Sequence, residues 1–125
     1  MQLRHHVMFQ EGQTAEAAAF YASLSDDGEL LSLDDAHGSS MARVRLGGNE
    51  LVIFDSPVKH DFAMTPAVSL YVECESAEEV DALFSKLADG GSVLMPVDAY
   101  PFSARYGWCV DRFGLSWQVA LIRPA

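Results

Sequence analysis

The sequence predicts an α+β fold built from two tandem β-α-β-β-β modules. Two amphipathic segments, TAEAAAFYASL at residues 14–24 and SAEEVDALFSKL at residues 76–87, are alike and lie about 62 positions apart, half of the 125-residue chain. Each segment is preceded by one stretch and followed by three stretches with strand periodicity. Half of the residues are hydrophobic, which is enough for one buried core.

The first module begins with an alternating strand and a helix that Thr14 is expected to cap. The glycine pair Gly47-Gly48 predicts a tight hairpin between its last two strands, because both residues tolerate positive φ. The predicted elements are a strand at Leu3–Gln10, a helix at Thr14–Leu24, and strands at Glu29–Leu33, Met41–Leu46 and Glu50–Asp55.

The second module repeats this order. Ser76 and Glu79 form a capping box at the start of its helix, and Asp89-Gly90-Gly91 ends that helix. The predicted elements are a strand at Pro66–Cys74, a helix at Ser76–Ala88, and strands at Ser92–Val97, Arg105–Asp111 and Leu115–Ile122.

We expect a single domain over residues 1–125, with module 1 at 1–56, a connector at 57–65 and module 2 at 66–125. Each module has one helix for a four-stranded sheet, so the helix covers one face only. We therefore expect the strands to form a curved mixed sheet around a cleft, with the helices on the outer face. A ligand would bind in that cleft.

Composition argues against two classes of partner. The chain has eight Lys and Arg residues and 18 Asp and Glu residues, and the resulting net charge of −10 repels nucleic acid and anionic membrane surfaces. The sequence contains neither a recognisable signal peptide nor an apolar run of spanning length, so we expect a cytoplasmic protein. Cys74 and Cys109 are interpreted as reduced core residues.

Three stretches of the chain resemble a known superfamily, and the DRFG turn followed by SWQ is the most specific of their motifs. They are MFQEGQTAEAAAFYASL (8–24), TPAVSLYVECESAEEVDALFSKLADGGSVLMP (65–96) and YGWCVDRFGLSWQV (106–119). The chain is similar to the vicinal oxygen chelate superfamily of glyoxalases, bleomycin and fosfomycin resistance proteins and dioxygenases. Within it, the chain resembles the PhnB-like branch, also called the 3-demethylubiquinone 3-methyltransferase-like domain.

The methyltransferase label is not expected to describe the chemistry. The sequence has no glycine-rich loop between a strand and a helix to hold a methyl donor, and no room for a donor-binding domain. The resemblance does imply a homodimer, since the curved sheets of this superfamily commonly pair.

The resemblance also implies four metal-ligand positions on the first and last strands of the modules. His6 matches the first position, and the second falls on Ile53 or Phe54. Ala67 stands at the third, and Gln118 replaces the glutamate expected at the fourth. An amide keeps the size of glutamate but lacks the charge that anchors a divalent ion, so we predict neither a metal nor another cofactor.

Aromatic and neutral polar residues remain as candidates for contact with a ligand. Gln118 is equally well interpreted as a structural residue that bridges buried strands. Arg105, near the expected pocket mouth, is a candidate to hold an anionic ligand group, although a solvated strand end is the favoured interpretation. His37 and His60 are interpreted as surface loop residues. The candidate ligand-binding residues are His6, Met8, Ser69, Tyr71, Arg105, Trp108 and Gln118.

Three functions compete at this point. The first is binding of a small aromatic or hydrophobic metabolite in a metal-free cleft. The second is a divalent-metal-dependent lyase, isomerase or dioxygenase whose ligands include His5, His6, Asp55, His60 or a residue of a second copy. The third is metal-free catalysis with His6 as the candidate general base.

Overall fold

The computed structural model describes residues 1–35 and 40–123. Within them the chain forms two compact units, Met1–Phe62 and Ala63–Ala125, and their boundary falls inside the predicted connector. The elements are β1 (His5–Phe9), α1 (Thr14–Ala22), β2 (Glu29–Asp34), β3 (Met41–Leu46), β4 (Asn49–Asp55), β5 (Ser69–Cys74), α2 (Ala77–Ala88), β6 (Ser92–Tyr100), β7 (Ser103–Val110) and β8 (Ser116–Leu121). The predicted duplication of a βαβββ module is confirmed.

The first unit is a four-stranded sheet with the order β1-β4-β3-β2. β1 runs parallel to β4, and the other two pairings are antiparallel. α1 packs against one face through β3, β2 and β4. The side chains buried in this unit include Val7, Phe9, Ala17, Ala18, Tyr21, Ala42, Val44, Leu51 and Ile53.

The second unit has the corresponding order β5-β8-β7-β6, again with its first strand parallel to its last. α2 packs mainly against β7 and β8. Gly107 permits this approach, because a Cβ atom there would lie 2.7 Å from the Phe84 ring of α2. Trp117 and Val119 are buried on the same face, as the alternation along β8 predicted.

The two helices begin in different ways. Ser76 caps α2 by accepting a hydrogen bond from the Glu79 amide at 3.1 Å, as predicted. Thr14 does not cap α1, since it is the first helical residue. The carboxylate of Asp55, at the end of β4, instead accepts from the amides of residues 12, 13 and 14 at 2.9 to 3.3 Å. A residue from a distant strand thus takes the place of a local cap.

Several strand bounds differ from the predicted ones. β5 begins at Ser69 because residues 66 and 67 form a turn, and β6 continues to Tyr100 through irregular pairing with β7. His37 lies outside the described residues. Cys74 and Cys109 are free and buried, as predicted. None of the described helices is long and apolar enough to cross a membrane.

Candidate functional site

The strongest candidate site lies on the helix-free face of the second sheet, which is the face opposite α2. Backbone pairing places Tyr71 of β5, Gln118 of β8 and Trp108 of β7 side by side in one row across three strands. Ser69 and Ser116 form the neighbouring row on the same face. The four predicted residues of this unit that the alternation rule assigned to one face are therefore brought together: Ser69, Tyr71, Trp108 and Gln118.

Neutral hydrogen bonds connect these rows. The Trp108 indole Nε1–H donates to the Ser116 hydroxyl at 2.8 Å, and the Ser116 and Ser69 hydroxyls are 2.7 Å apart. The Gln118 amide Nε2 donates to the Ser69 hydroxyl at 3.3 Å. The Tyr106 hydroxyl donates to Gln118 Oε1 at 2.6 Å. We call these five residues the polar network.

Burial is graded across this face. Tyr106 and Ser116 are 3% and 2% exposed, whereas Ser69, Trp108 and Gln118 are half-buried. Tyr71 is 56% exposed, although its neighbours in the row are not. The face therefore offers an exposed aromatic ring beside half-buried polar groups.

Aromatic packing holds the Tyr106 end of the polar network in place. The rings of Tyr100 and Phe102 meet the Tyr106 ring edge-on, at centroid distances of 5.7 and 4.8 Å. Burial, with smaller contributions from Tyr71 and Tyr100, raises the pKa of the Tyr106 hydroxyl. That hydroxyl therefore keeps its proton and remains a donor to Gln118 at neutral pH.

The first unit also has a helix-free face, and His6 and Met8 lie on it. They pair with Val52 and Phe54 of β4, and the rings of His6 and Phe54 are 6.2 Å apart. On the same face Glu50 accepts from Arg4 and Arg43, and these bonds, led by that from Arg4, lower the pKa of its carboxyl. The predicted residues of this unit thus share their surface with an ion-pair cluster.

Two of the metal-ligand positions implied by the resemblance can be assigned more narrowly. Phe54 shares the face of His6, whereas Ile53 is buried on the α1 side, so Phe54 is the better match for the second position. Ala67 precedes β5, and the first strand residue on the helix-free face is Ser69. Neither Phe54 nor Ala67 has a side-chain atom that binds a metal ion.

Arg105 does not belong with the other candidates. Its guanidinium forms an ion pair with Asp81 of α2 at 2.6 Å, so it lies on the helix-bearing face. Tyr106 and Trp108, one and three positions further along β7, face the other way. We therefore remove Arg105 from the candidate site.

Two members of the polar network were missing from the predicted set. Ser116 lies two positions before Gln118 on β8, and Tyr106 two positions before Trp108 on β7, so alternation puts each pair on one face. It does not reveal that both hydroxyls bond to these neighbours, because diagonal contacts depend on strand register. In the described part of the chain, no group of three or more His, Cys, Asp or Glu side chains is placed to hold a metal ion.

Comparison with known proteins identifies the family. The model of a family described as 3-demethylubiquinone-9 3-methyltransferase matches residues 2–120. A PhnB protein from Bacillus cereus, provisionally described as a 3-demethylubiquinone-9 3-methyltransferase, is 42% identical over 98% of this chain and all of its own, with a TM-score of 0.91. Protein PA1353 from Pseudomonas aeruginosa is 25% identical over 99% of both chains, with a TM-score of 0.80. No curated protein matches the chain.

More distant structures share the fold alone. A glyoxylase/bleomycin resistance protein/dioxygenase domain from Frankia sp. EAN1pec is 18% identical over 98% of both chains, with a TM-score of 0.72. The chain thus has the fold of this glyoxylase/bleomycin resistance protein/dioxygenase domain. It belongs to the PhnB-like family whose description is 3-demethylubiquinone-9 3-methyltransferase.

Proposed function

We propose that the protein binds a small aromatic or hydrophobic metabolite on the helix-free face of its second sheet. The observation that carries this proposal is the row of Tyr71, Gln118 and Trp108, in which a half-buried amide lies between two aromatic side chains. The rings offer stacking surface, and the amide offers hydrogen bonds that fix the orientation of the ligand. On the first unit, His6 and Met8 remain separate candidates for contact with a ligand, and His6 remains the candidate catalytic base.

We further propose that this binding does not use a divalent metal ion. At the family's fourth ligand position, Gln118 contributes a neutral amide that is bonded to Tyr106 and Ser69. Using Oε1 as a metal ligand would compete with the bond from Tyr106, and the neutral oxygen would return less energy than a carboxylate does. Elemental analysis after dialysis without a chelator should find well under one Zn, Ni, Fe, Mn or Mg per chain. A ratio near one would favour the metal-dependent lyase, isomerase or dioxygenase.

Methyl transfer is not part of the proposal, despite the family's description. Each of the two described units has the element order βαβββ. Neither helix follows a glycine-rich turn of the kind that holds a nucleotide-like donor. Isothermal titration with S-adenosylmethionine should give no binding heat. Micromolar binding of that donor would contradict this part of the proposal.

The direct test of binding is identification of the ligand. Native mass spectrometry of gently purified protein should show a bound species of a few hundred daltons, and the Trp108→Phe and Gln118→Leu variants should retain less of it. Arg105→Gln serves as the matched control, because Arg105 lies on the opposite face and its replacement should leave retention unchanged. Equal retention in all variants would show that the ligand binds elsewhere.

We also propose that the protein is a homodimer. β2 is an edge strand whose six residues are all exposed, including Leu30, Leu31 and Leu33. An exposed apolar edge strand is costly for a monomer, and a second copy would cover it. Light scattering at micromolar concentration should give about twice the chain mass of 13.7 kDa. A mass near 13.7 kDa would contradict the dimer.

A further inference from the structure

The direction of the hydrogen bonds in the polar network determines which groups it leaves open. Trp108 can only donate, and it donates to Ser116. Tyr106 donates to Gln118 Oε1, so the amide group Nε2 of Gln118 points to Ser69 and donates there. Only the bond between the two serine hydroxyls has no assigned donor.

Burial settles that remaining bond. Ser116 is 2% exposed, so a proton on its hydroxyl without an acceptor would be an unsatisfied buried donor, which is rare in folded proteins. If Ser116 donates to Ser69, its proton is used and its oxygen accepts from Trp108. Ser69 then accepts twice, from Ser116 and from Gln118, which fills both of its lone pairs. The Ser69 proton is left over on the half-buried surface.

A second unused donor lies beside it. Gln118 Nε2 has two protons, and only one of them is bonded to Ser69. The two donor atoms, Ser69 Oγ and Gln118 Nε2, are 3.3 Å apart. Two donors at this separation can converge on one acceptor oxygen, as paired donors do in sites that hold a carbonyl group.

Nearby charge selects among acceptors. Glu73 lies on the same face of β5 as Ser69 and Tyr71, and Asp98 pairs with Tyr106 from β6. In a chain with a net charge of −10 these carboxylates oppose an anionic ligand. A neutral ketone, aldehyde or amide oxygen meets no such repulsion.

We infer that Ser69 and Gln118 form a two-donor site for a neutral carbonyl oxygen, and that Trp108 and Tyr71 flank the aromatic or apolar body of the same ligand. This inference rests on the proposed function and narrows it to a ligand class: planar apolar molecules with a neutral carbonyl group.

The two tryptophans provide the measurement. The Trp108 indole N–H belongs to the polar network, whereas the Trp117 indole N–H is bonded to Asp111 at 2.8 Å in the buried core. In ¹⁵N-labelled protein the two indole resonances, assigned with Trp108→Phe, report on the site and on the core. The probes are acetophenone, a neutral acceptor; benzoate, an anion; and aniline, chiefly a donor.

Acetophenone should move the Trp108 resonance and leave that of Trp117 in place. It should saturate at a concentration several-fold lower than benzoate or aniline. Ser69→Ala should weaken the binding of acetophenone about three- to tenfold, which corresponds to the loss of one neutral hydrogen bond. The affinity for aniline should stay unchanged. Ser69→Thr keeps the hydroxyl and should stay within about twofold of the wild type.

A second variant, Gln118→Glu, keeps the proposal testable if Ser69→Ala fails to fold. In Gln118→Glu a carboxylate can accept from both Tyr106 and Ser69, so the hydrogen-bonded sheet is kept while both open protons disappear. It should lose the preference for acetophenone as well. Equal binding of the three probes, or an unchanged affinity in Ser69→Ala and Gln118→Glu, would overturn the two-donor site alone. Failure of every probe to move the Trp108 resonance would overturn the site and the proposed function together.

Discussion

The bond between Gln118 and Tyr106 can be weighed with a double-mutant cycle. Gln118→Leu removes the amide at similar size and leaves the Tyr106 hydroxyl, 3% exposed, without its acceptor at 2.6 Å. An unpaired buried hydroxyl costs about 1 to 3 kcal/mol. Tyr106→Phe removes the donor instead and leaves Gln118 Oε1, which is half-buried and can bond to water, so its cost should be about 0.5 to 1.5 kcal/mol.

In the double variant neither partner is left alone, so the two losses should not add. We expect a coupling free energy of about 1 kcal/mol, within the range for residues in direct contact. Urea unfolding followed by tryptophan fluorescence gives each free energy of unfolding, provided that the slopes agree among the variants.

Tyr100→Phe is the matched control for loss of a tyrosine hydroxyl. Tyr100 donates to the backbone oxygen of Pro96 and has no hydrogen bond to Gln118. Combined with Gln118→Leu, it should be additive within about 0.5 kcal/mol. Coupling below that threshold for Gln118 and Tyr106 would refute the idea that Gln118 orders this face. Contact with a ligand would then be the one remaining role proposed for Gln118.

Three more outcomes follow from contacts within the two units. Gly107→Ala places a Cβ atom 2.7 Å from the Phe84 ring and should lower the free energy of unfolding by about 1 to 3 kcal/mol. Thermal unfolding measures this loss, and Gly107→Ala/Phe84→Leu should recover part of it. An unchanged midpoint would contradict the close helix contact. Burial raises the pKa of Cys74 to about 12 and that of Cys109 to about 11. Neither thiol should therefore react with a disulfide reagent at pH 8 unless urea is added. Rapid labelling of the folded protein would contradict this. Burial also raises the pKa of Tyr106, so the stabilisation it provides should be complete below about pH 10 and fall as the pH rises to the folded-state pKa. In Tyr106→Phe the free energy of unfolding should therefore decline less steeply at alkaline pH. Equal slopes in the variant and the wild type would contradict this.

Local patterns in the sequence predicted the elements well. The bounds of β3 are the predicted ones, because alternating residues and the Gly47-Gly48 hairpin both constrain that strand. The Ser76 cap also follows from neighbours in sequence. Alternation assigned Trp108 and Gln118 to one face, and strand register then made them neighbours.

Contacts between distant residues were not accessible in the same way. Asp55 caps a helix that begins 41 residues earlier, and no local pattern signals this. Arg105 was a candidate because of its expected place near the pocket mouth, although alternation alone sets it opposite Trp108. Its ion pair with Asp81 of α2 shows why the period of the strand was the better guide.

The two modules share one scaffold but have diverged on their helix-free faces. In the first unit that face carries the cluster of Glu50, Arg4 and Arg43, whose charged groups are partly exposed and hydrated. In the second unit the corresponding face carries the neutral hydrogen bonds of the polar network, and their partial burial makes each bond stronger than in water. Gln118 belongs to this second arrangement: a carboxylate in its place would accept from Tyr106 and Ser69 and leave no proton for a ligand, whereas the amide supplies one itself and leaves another on Ser69.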